Sequence, residues 1–169
     1  MASGRPVGGR LRGVVEHFSD TFTNKLDIKG RVSLPAKFRQ VLAEQGAESV
    51  FIIQSHSHNA LQGMGPVLRK EIDARLSVLD PFSEEYDAFA QAYFGGSVEL
   101  LWDSEGRIKL PDHFLAHAKL TDEAVFVGLG QKFQIWDPAG FDMRLRRTQD
   151  VARENRGLLS LRALPERKP

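Results

Sequence analysis

The sequence predicts an α+β fold in which one structural unit occurs twice along the chain. The first indication is the segment 26–35, whose pattern returns in the segment 102–111. Asp27 and Asp103 hold equivalent places 76 positions apart, and the Gly, Arg, Leu and Pro that follow keep the same offset. The second indication is that strand and helix patterns follow both segments in the same order. An internal repeat of this kind sets the architecture before any single element is assigned.

Each unit begins with a hairpin-like pattern, continues through a helix and ends in two strands. In the first copy a short strand leads to a turn that ends at Gly30, after which Val32 and Leu34 alternate with polar residues. Pro35 suits the first residue of a helix, and Gly46 is placed to end it. The helix of the second copy is predicted after Pro111. Strands are predicted over residues 50–53 and 60–64 in the first copy and over 125–127 and 133–136 in the second.

Further helices are predicted between and after the two units. Apolar residues share one helical face over residues 67–79 and again over 82–94, and we expect these helices to cover the sheets. Asp80 is expected to cap the second helix, and Gly95-Gly96 to end it. Another helix is expected over 141–153. The predicted segments are a flexible basic arm (1–13), a first unit (14–65), a helical connection (66–96), a second unit (97–140), and a C-terminal helix with a basic tail (141–169).

The composition is that of an ordinary globular protein, with 41% hydrophobic and 27% charged residues among 169. The chain has no cysteine, which excludes disulfides, thiol nucleophiles and Cys-ligated metals. No apolar signal segment opens the sequence, and no run approaches the roughly 20 apolar residues of a membrane helix. We therefore expect a soluble, cytoplasmic protein that does not contact a membrane.

The net charge of +1 is unevenly distributed between the two copies. Residues 97–116 hold two cations against four carboxylates, whereas residues 21–40 hold five cations against Asp27 alone. The five cations are Lys25, Lys29, Arg31, Lys37 and Arg39. The first copy is thus suited to a polyanion and the second is not. Ordinary solvated surface charge is the alternative that charge counting leaves open.

The usual signatures of catalysis and of cofactor binding are absent from the sequence. His56 and His58 stand two apart in a polar turn, without the acidic residues that a metal site needs, so a surface turn is the better interpretation. Gly128-Leu129-Gly130 precedes no helix and is therefore assigned to a β-turn, not to a dinucleotide site. We predict a protein that is not an enzyme and that uses no cofactor, metal or small-molecule substrate.

The repeated hairpin segments carry both turn chemistry and candidate DNA contacts. Asp27 and Asp103 are each placed to accept backbone hydrogen bonds within a tight turn, and Gly30 and Gly106 to supply its positive φ. A two-stranded ribbon fits the major groove of DNA, where an arginine such as Arg31 can bind guanine through two hydrogen bonds. In the second copy Glu105 replaces Lys29, and we expect Arg107 to pair with an acid and hold its own turn.

These segments resemble the MraZ family. The resemblance rests on the doubled Asp-x-x-Gly-Arg, on Leu34-Pro35-Ala36-Lys37-Phe38-Arg39, and on the run Val127 to Trp136. It covers roughly Val14 to Phe141, whereas one copy alone would indicate only the wider AbrB-like superfamily.

The resemblance implies two tandem swapped-hairpin (AbrB-like) units that interleave as an intrachain pseudo-dimeric β-barrel. It also implies a nucleoid-associated bacterial transcriptional regulator, usually a repressor, whose partner is double-stranded DNA. Its target would be short G-rich direct repeats upstream of its own operon, the division and cell-wall gene cluster. Family members form homo-oligomeric rings. Lys29 and Arg31 would read the DNA, with Lys25, Lys37 and Arg39 in support.

Two other functions remain open at this point. An AbrB-like protein-interaction module of the antitoxin type would capture a partner enzyme, although such proteins usually carry one unit and a partner-binding tail. An enzyme on a doubled barrel is the other, and no acid–base or nucleophile constellation in the sequence supports it.

Overall fold

The structure is a computed structural model that describes residues 17–160. The predicted arm over residues 1–13 and the last nine residues of the predicted tail lie outside the described residues.

Both copies of the repeat contain the same succession of two strands, a helix and two strands. The first copy comprises β1 (Thr21–Lys25), β2 (Arg31–Ser33), α1 (Ala36–Glu44), β3 (Ser49–Gln54) and β4 (Leu61–Met64). The connection comprises α2 (Pro66–Leu76), α3 (Glu84–Ala90) and a π-helical turn (Gln91–Gly95). The second copy comprises β5 (Ser97–Leu101), β6 (Arg107–Lys109), α4 (Asp112–His117), β7 (Glu123–Gly128) and β8 (Lys132–Trp136). A long helix, α5 (Pro138–Glu154), and a short 3₁₀ turn (Arg156–Leu159) follow.

The helix ends follow local chemistry, with one correction to the predicted caps. The helix α1 ends at Glu44 and the chain continues through Gly46, whose φ is +77°, so the prediction that Gly46 ends this helix is confirmed. The helix predicted over 82–94 begins later, at Glu84, because Ser83 caps it by accepting a hydrogen bond from the Tyr86 amide. The Asp80 carboxylate instead accepts from the Phe82 amide in the preceding turn, so the predicted cap was wrong.

The strands pair mainly between the two copies. Six antiparallel strands form one sheet in the order β1-β7-β8-β4-β3-β5, and β2 and β6 form a separate two-stranded sheet. The predicted local hairpin is reduced to one bridge between Leu26 and Val32, because β1 pairs with β7 and β2 with β6. The α+β class is confirmed. In the part of the chain that the structure describes, β1 and β5 are sheet edges and no closed barrel forms, so the expected barrel is not confirmed.

Both copies contribute to one hydrophobic core. The ring of Phe38, from α1 of the first copy, is fully buried and lies 4.9 Å from Phe133 and 6.4 Å from Phe126 of the second. Phe18 and Phe22 pack edge-on to the same ring, at 5.3 and 5.6 Å. This shared aromatic cluster fixes the two copies against each other, and with them the two-stranded sheet.

The connecting segment is fastened to the sheet by one arginine of α2. The Arg69 guanidinium lies 4.2 Å from the ring centre of Phe51 in β3 and 5.0 Å from that of Phe94. It also donates a 2.8 Å hydrogen bond to Ser97 Oγ at the start of β5. Cation–π contacts of this kind hold α2 against the six-stranded sheet. Within residues 17–160, no helix has the length and apolar character needed to cross a membrane.

Candidate nucleic-acid interface

The two-stranded sheet of β2 and β6 has one apolar face and one basic face. Val32 and Ile108 pair across the strands and are almost completely buried. Side chains alternate along a strand, so the pairs on either side of this one face outward: Arg31 opposite Lys109, and Ser33 opposite Arg107. The result is a short ribbon anchored in the core, whose outer face carries three cations. We call this surface the basic ribbon.

The turn that enters β2 is organised by the carboxylate of Asp27. Its Oδ1 accepts hydrogen bonds from the amides of Lys29 (2.9 Å) and Arg31 (2.8 Å), and its Oδ2 accepts from Arg31 Nε at 2.7 Å. Gly30 lies at φ +79°, and a Cβ there would meet the Leu110 carbonyl oxygen at 3.1 Å. The hydrogen bonds from Arg31 lower the pKa of Asp27, so the carboxylate is ionised at neutral pH. Lys29 is exposed at the turn.

The turn that enters β6 repeats this geometry with a different charge. Asp103 Oδ1 accepts from the amides of Glu105 and Arg107, and its Oδ2 accepts from Arg107 Nε at 2.9 Å. These bonds lower the pKa of Asp103, and the bond to Asp103 raises the pKa of Arg107. Arg107 Nη1 also lies 3.3 Å from Glu105 Oε2. The second arginine is therefore held between two carboxylates, whereas Arg31 faces one.

The two ends of the basic ribbon consequently differ in charge. The first turn places two cations, Lys29 and Arg31, against the single carboxylate of Asp27. The second places Arg107 against the carboxylates of Asp103 and Glu105. The local balance is +1 at the first turn and −1 at the second, so the ribbon attracts an anion most strongly at its first-copy end.

Three other predicted residues do not lie on the outer face of the ribbon. Lys37 pairs with Asp20, before β1. Arg39 donates from Nε to the Leu34 carbonyl at 3.1 Å, and its guanidinium lies over Gly106, where a Cβ would approach to 2.5 Å. Lys25 is exposed at the end of β1, opposite Glu123 of β7. Arg39 thus supports the second turn, while Lys25 and Lys37 stand elsewhere.

Lys109 is the ribbon residue that sequence reasoning missed. It stands in the second copy, which appeared unsuited to a polyanion, at the place that Ser33 holds in the first. Only the pairing of β2 with β6 brings it opposite Arg31. The alternation of Ile108 and Leu110 indicates that the Lys109 side chain points outward, but no local pattern indicates which strand pairs with β6.

The turn between β3 and β4 holds the two spaced histidines, His56 and His58. In the described part of the chain, no group of three or more His, Cys, Asp or Glu side chains is arranged to hold a metal ion.

Comparison with known proteins places this architecture in a family. A family model described as "MraZ protein, putative antitoxin-like" matches residues 17–58 and 93–158, which include both turns and both strands of the basic ribbon. The chain belongs to the MraZ family. The two matched segments omit residues 59–92, where β4 and most of the helical connection lie.

Individual MraZ proteins match over most of their length. The chain is 48% identical to the transcriptional regulator MraZ of Parvibaculum lavamentivorans, over 73% of this chain and 78% of that protein. It is 44% identical to the MraZ of Methylocella silvestris, over 94% of this chain and 95% of that protein. The MraZ of Beijerinckia indica is 42% identical, over 92% and 95% respectively. All three relatives carry the name of transcriptional regulators.

Proposed function

We propose that this chain is a DNA-binding transcriptional regulator that contacts DNA through the basic ribbon. The observation that supports the proposal is the outward face of β2 and β6, where Arg31, Lys109 and Arg107 stand over a buried Val32–Ile108 pair. A two-stranded ribbon has dimensions that the major groove admits. The regulator names of the MraZ relatives support the same function.

Arg31 is the residue to which we assign base reading. Its Nε is bound by Asp27, which fixes the plane of the guanidinium. Within residues 17–160 its two terminal nitrogens make no hydrogen bond, so both remain for an acceptor pair such as guanine O6 and N7. Lys29 at the turn and Lys109 beside Arg31 are suited to neighbouring phosphates, which fix the register of a protein on DNA. Lys25, Lys37 and Arg39 lie off the outer face of the ribbon and would support binding only from beside it.

The finer parts of the proposal concern target and assembly. The chain would repress its own operon, the division and cell-wall gene cluster, by binding short G-rich direct repeats, and would be associated with the nucleoid. The two copies would form the swapped-hairpin pseudo-dimer of the AbrB-like type, to which the strand pairing between copies is suited. One ribbon with three cations binds weakly, whereas a homo-oligomeric ring engages several repeats at once and gains ~10²–10⁴ in avidity.

The decisive experiment compares Arg31→Ala with Arg107→Ala. Each substitution removes an arginine that binds the aspartate four residues before it, so the structural losses are matched. Binding is measured by fluorescence anisotropy on the duplex upstream of the chain's own gene and on a scrambled duplex, across a salt series. We expect Arg31→Ala to reduce the preference for the native duplex roughly tenfold to a hundredfold, the range of one bidentate base contact.

The control variant and the salt series distinguish base contact by Arg31 from an effect of turn geometry and from a protein-interaction module. Arg107→Ala is expected to keep most of the preference, because two carboxylates already neutralise that side chain. Circular dichroism and size-exclusion chromatography check that both variants fold and assemble. An unchanged preference in Arg31→Ala would contradict the assignment, and an equal loss in both variants would ascribe the effect to turn geometry. No binding to either duplex at low salt would favour the protein-interaction module.

A further inference from the structure

A second basic region lies in a cleft that the proposed DNA interface does not use. The cleft has a volume of about 780 Å³ and is formed by the β3–β4 turn, the segment after α4 and the beginning of α5. This volume is within the range of small-molecule sites, roughly 300–1,000 Å³. A DNA duplex is far too large to enter it, so the cleft is suited to a small ligand.

Three cations converge on this cleft from two walls. Lys119 lies on one wall, and Arg144 and Arg147, three apart on one face of α5, lie on the other. Within residues 17–160, none of the three forms an ion pair with a carboxylate. The one acidic side chain that lines the cleft, Asp137, is turned to the backbone, where its Oδ2 accepts a 3.2 Å hydrogen bond from the Gly140 amide.

One partly exposed imidazole, that of His58, lines the cleft beside these cations, and the Trp136 ring next to it is buried. The rings of His58 and Trp136 lie 5.6 Å apart at an angle of 34°. His117 Nε2 lies 3.2 Å from the His58 carbonyl oxygen and ties the α4 end to the β3–β4 turn. Burial lowers the pKa of His58, and the charge of Arg144 lowers it further, so this imidazole is neutral at pH 7. The cleft therefore combines three positively charged side chains with one neutral, planar imidazole.

Comparison of the two copies shows that the fold itself does not need two of these three charges, those of Lys119 and Arg144, whereas Arg147 has an arginine, Arg75, as its counterpart. Lys119 follows α4 with φ +54°, in the place where Gly46 follows α1 with φ +77°. In both copies the next amide donates to the carbonyl five residues back, from Ala47 to Leu42 and from Leu120 to Leu115. A lysine in this conformation is less favourable than a glycine, yet the cleft has the lysine.

The helix after the fourth strand of each copy shows a similar contrast. Pro66 opens α2 after β4 and Pro138 opens α5 after β8, which gives an offset of 72 between the two helices. At this offset, Ile72 stands where α5 has Arg144. Two of the three cations, Lys119 and Arg144, thus stand at positions where the other copy has an uncharged residue in the equivalent place of the backbone.

We propose that this cleft binds a small molecule that carries a diphosphate group. Lys119, Arg144 and Arg147 hold the phosphates through charge-assisted hydrogen bonds, and the partly exposed imidazole of His58, next to the buried Trp136, accepts a planar group attached to them. The site is separate from the basic ribbon and does not depend on DNA binding.

The test is isothermal titration calorimetry of the full-length protein with ADP and with inorganic pyrophosphate. Lys119→Gly and Arg147→Gln each remove one charge from the cleft, and Lys119→Gly also relieves an unfavourable backbone conformation. Arg146→Gln is the matched control, because Arg146 is exposed on the same helix but does not line the cleft. We expect each cleft variant to weaken binding roughly tenfold and the control to leave it unchanged.

The outcomes separate this site from the ribbon and from diffuse charge. Provided that the cleft variants weaken binding, tighter binding of ADP than of pyrophosphate would support both the diphosphate site and the place for a planar group. Equal binding would support the diphosphate site and overturn the part assigned to His58. No binding at millimolar concentration, or an equal loss in Arg146→Gln, would overturn the proposal. Loss of ADP binding in Arg31→Ala would also overturn it, because the anion would then lie on the ribbon. If the protein fails to bind DNA, the calorimetric result for the cleft can still be interpreted, because the cleft is separate from the basic ribbon.

Discussion

Glu105→Lys should make the second-copy end of the basic ribbon attract DNA phosphates as strongly as the first-copy end does. The Glu105 side chain is 69% exposed, and the hydrogen bond that its backbone amide donates to Asp103 Oδ1 at 2.9 Å does not depend on the side chain. The substitution keeps that hydrogen bond and removes one of the two carboxylates around Arg107. The local balance then changes from −1 to +1 and equals that of the first turn, with Lys29 and Arg31 against Asp27.

The size of the effect follows from counterion release. Each additional phosphate neutralised steepens the log–log dependence of affinity on salt by about 0.9. If the new lysine reaches one phosphate, affinity between about 200 and 50 mM salt rises roughly threefold to fourfold more than in the parent protein. If Arg107, released from Glu105, reaches a second phosphate, the slope steepens by about 1.8. The expected change in slope is therefore between these two values.

This slope is measured by fluorescence anisotropy across a salt series. A scrambled duplex is used so that the slope reports phosphate contacts and not base recognition. Glu48→Lys is the control, since it makes the same change in net charge at an exposed position outside the ribbon and its turns. We expect its slope to stay close to that of the parent protein. An unchanged slope in Glu105→Lys, or equal steepening in both variants, would refute the reasoning that DNA lies against the outer face of β2 and β6.

Two further predictions concern the stability of the elements that hold the ribbon. Gly128→Ala should destabilise the protein by roughly 1–3 kcal/mol in denaturant unfolding, because the added Cβ would lie 2.3 Å from the Ser19 amide nitrogen and backbone cannot move aside as a side chain can; an unfolding free energy equal to the parent's would contradict this. Asp27→Asn should lower the melting temperature at neutral pH, and the difference from the parent should shrink as pH falls below 3.8. The folded-state pKa of Asp27 is depressed, so its stabilisation is present above the unfolded value and is lost as pH falls through the folded one; a difference that persists at low pH would exclude this origin.

The order and type of the elements could be predicted because their causes are local. The alternation around Val32 and the glycine after α1 act within a few residues, and the repeat gives each assignment a second, independent instance. Gly128 is a partial exception. The sequence suggested a β-turn for both glycines of Gly128-Leu129-Gly130, but only Gly130 has positive φ, whereas Gly128 ends β7 where the backbone of Phe18 and Ser19 passes closely.

The partners of the strands could not be predicted from the residues alone. The pattern of Thr21 to Lys25 is satisfied equally well by a local hairpin and by pairing with β7, more than 90 residues away. The choice depends on burial in the assembled core, where Phe22 of β1 reaches Phe38. Lys109 was missed for the same reason, because its position beside Arg31 exists only once β2 and β6 have paired.

The repeat gives the ribbon approximate twofold symmetry, and its charges break that symmetry. Val32 and Ile108 form the central pair, so each residue on one strand has an equivalent on the other. At two equivalent places the residues differ in charge, since Lys29 corresponds to Glu105 and Ser33 to Lys109. A DNA-binding surface with true twofold symmetry matches palindromic half-sites. A ribbon whose two ends differ in charge imposes a direction on the DNA, and several copies in one ring would then be matched by repeats that all run the same way. The direct repeats in the proposed function are thus the arrangement that this asymmetric ribbon favours.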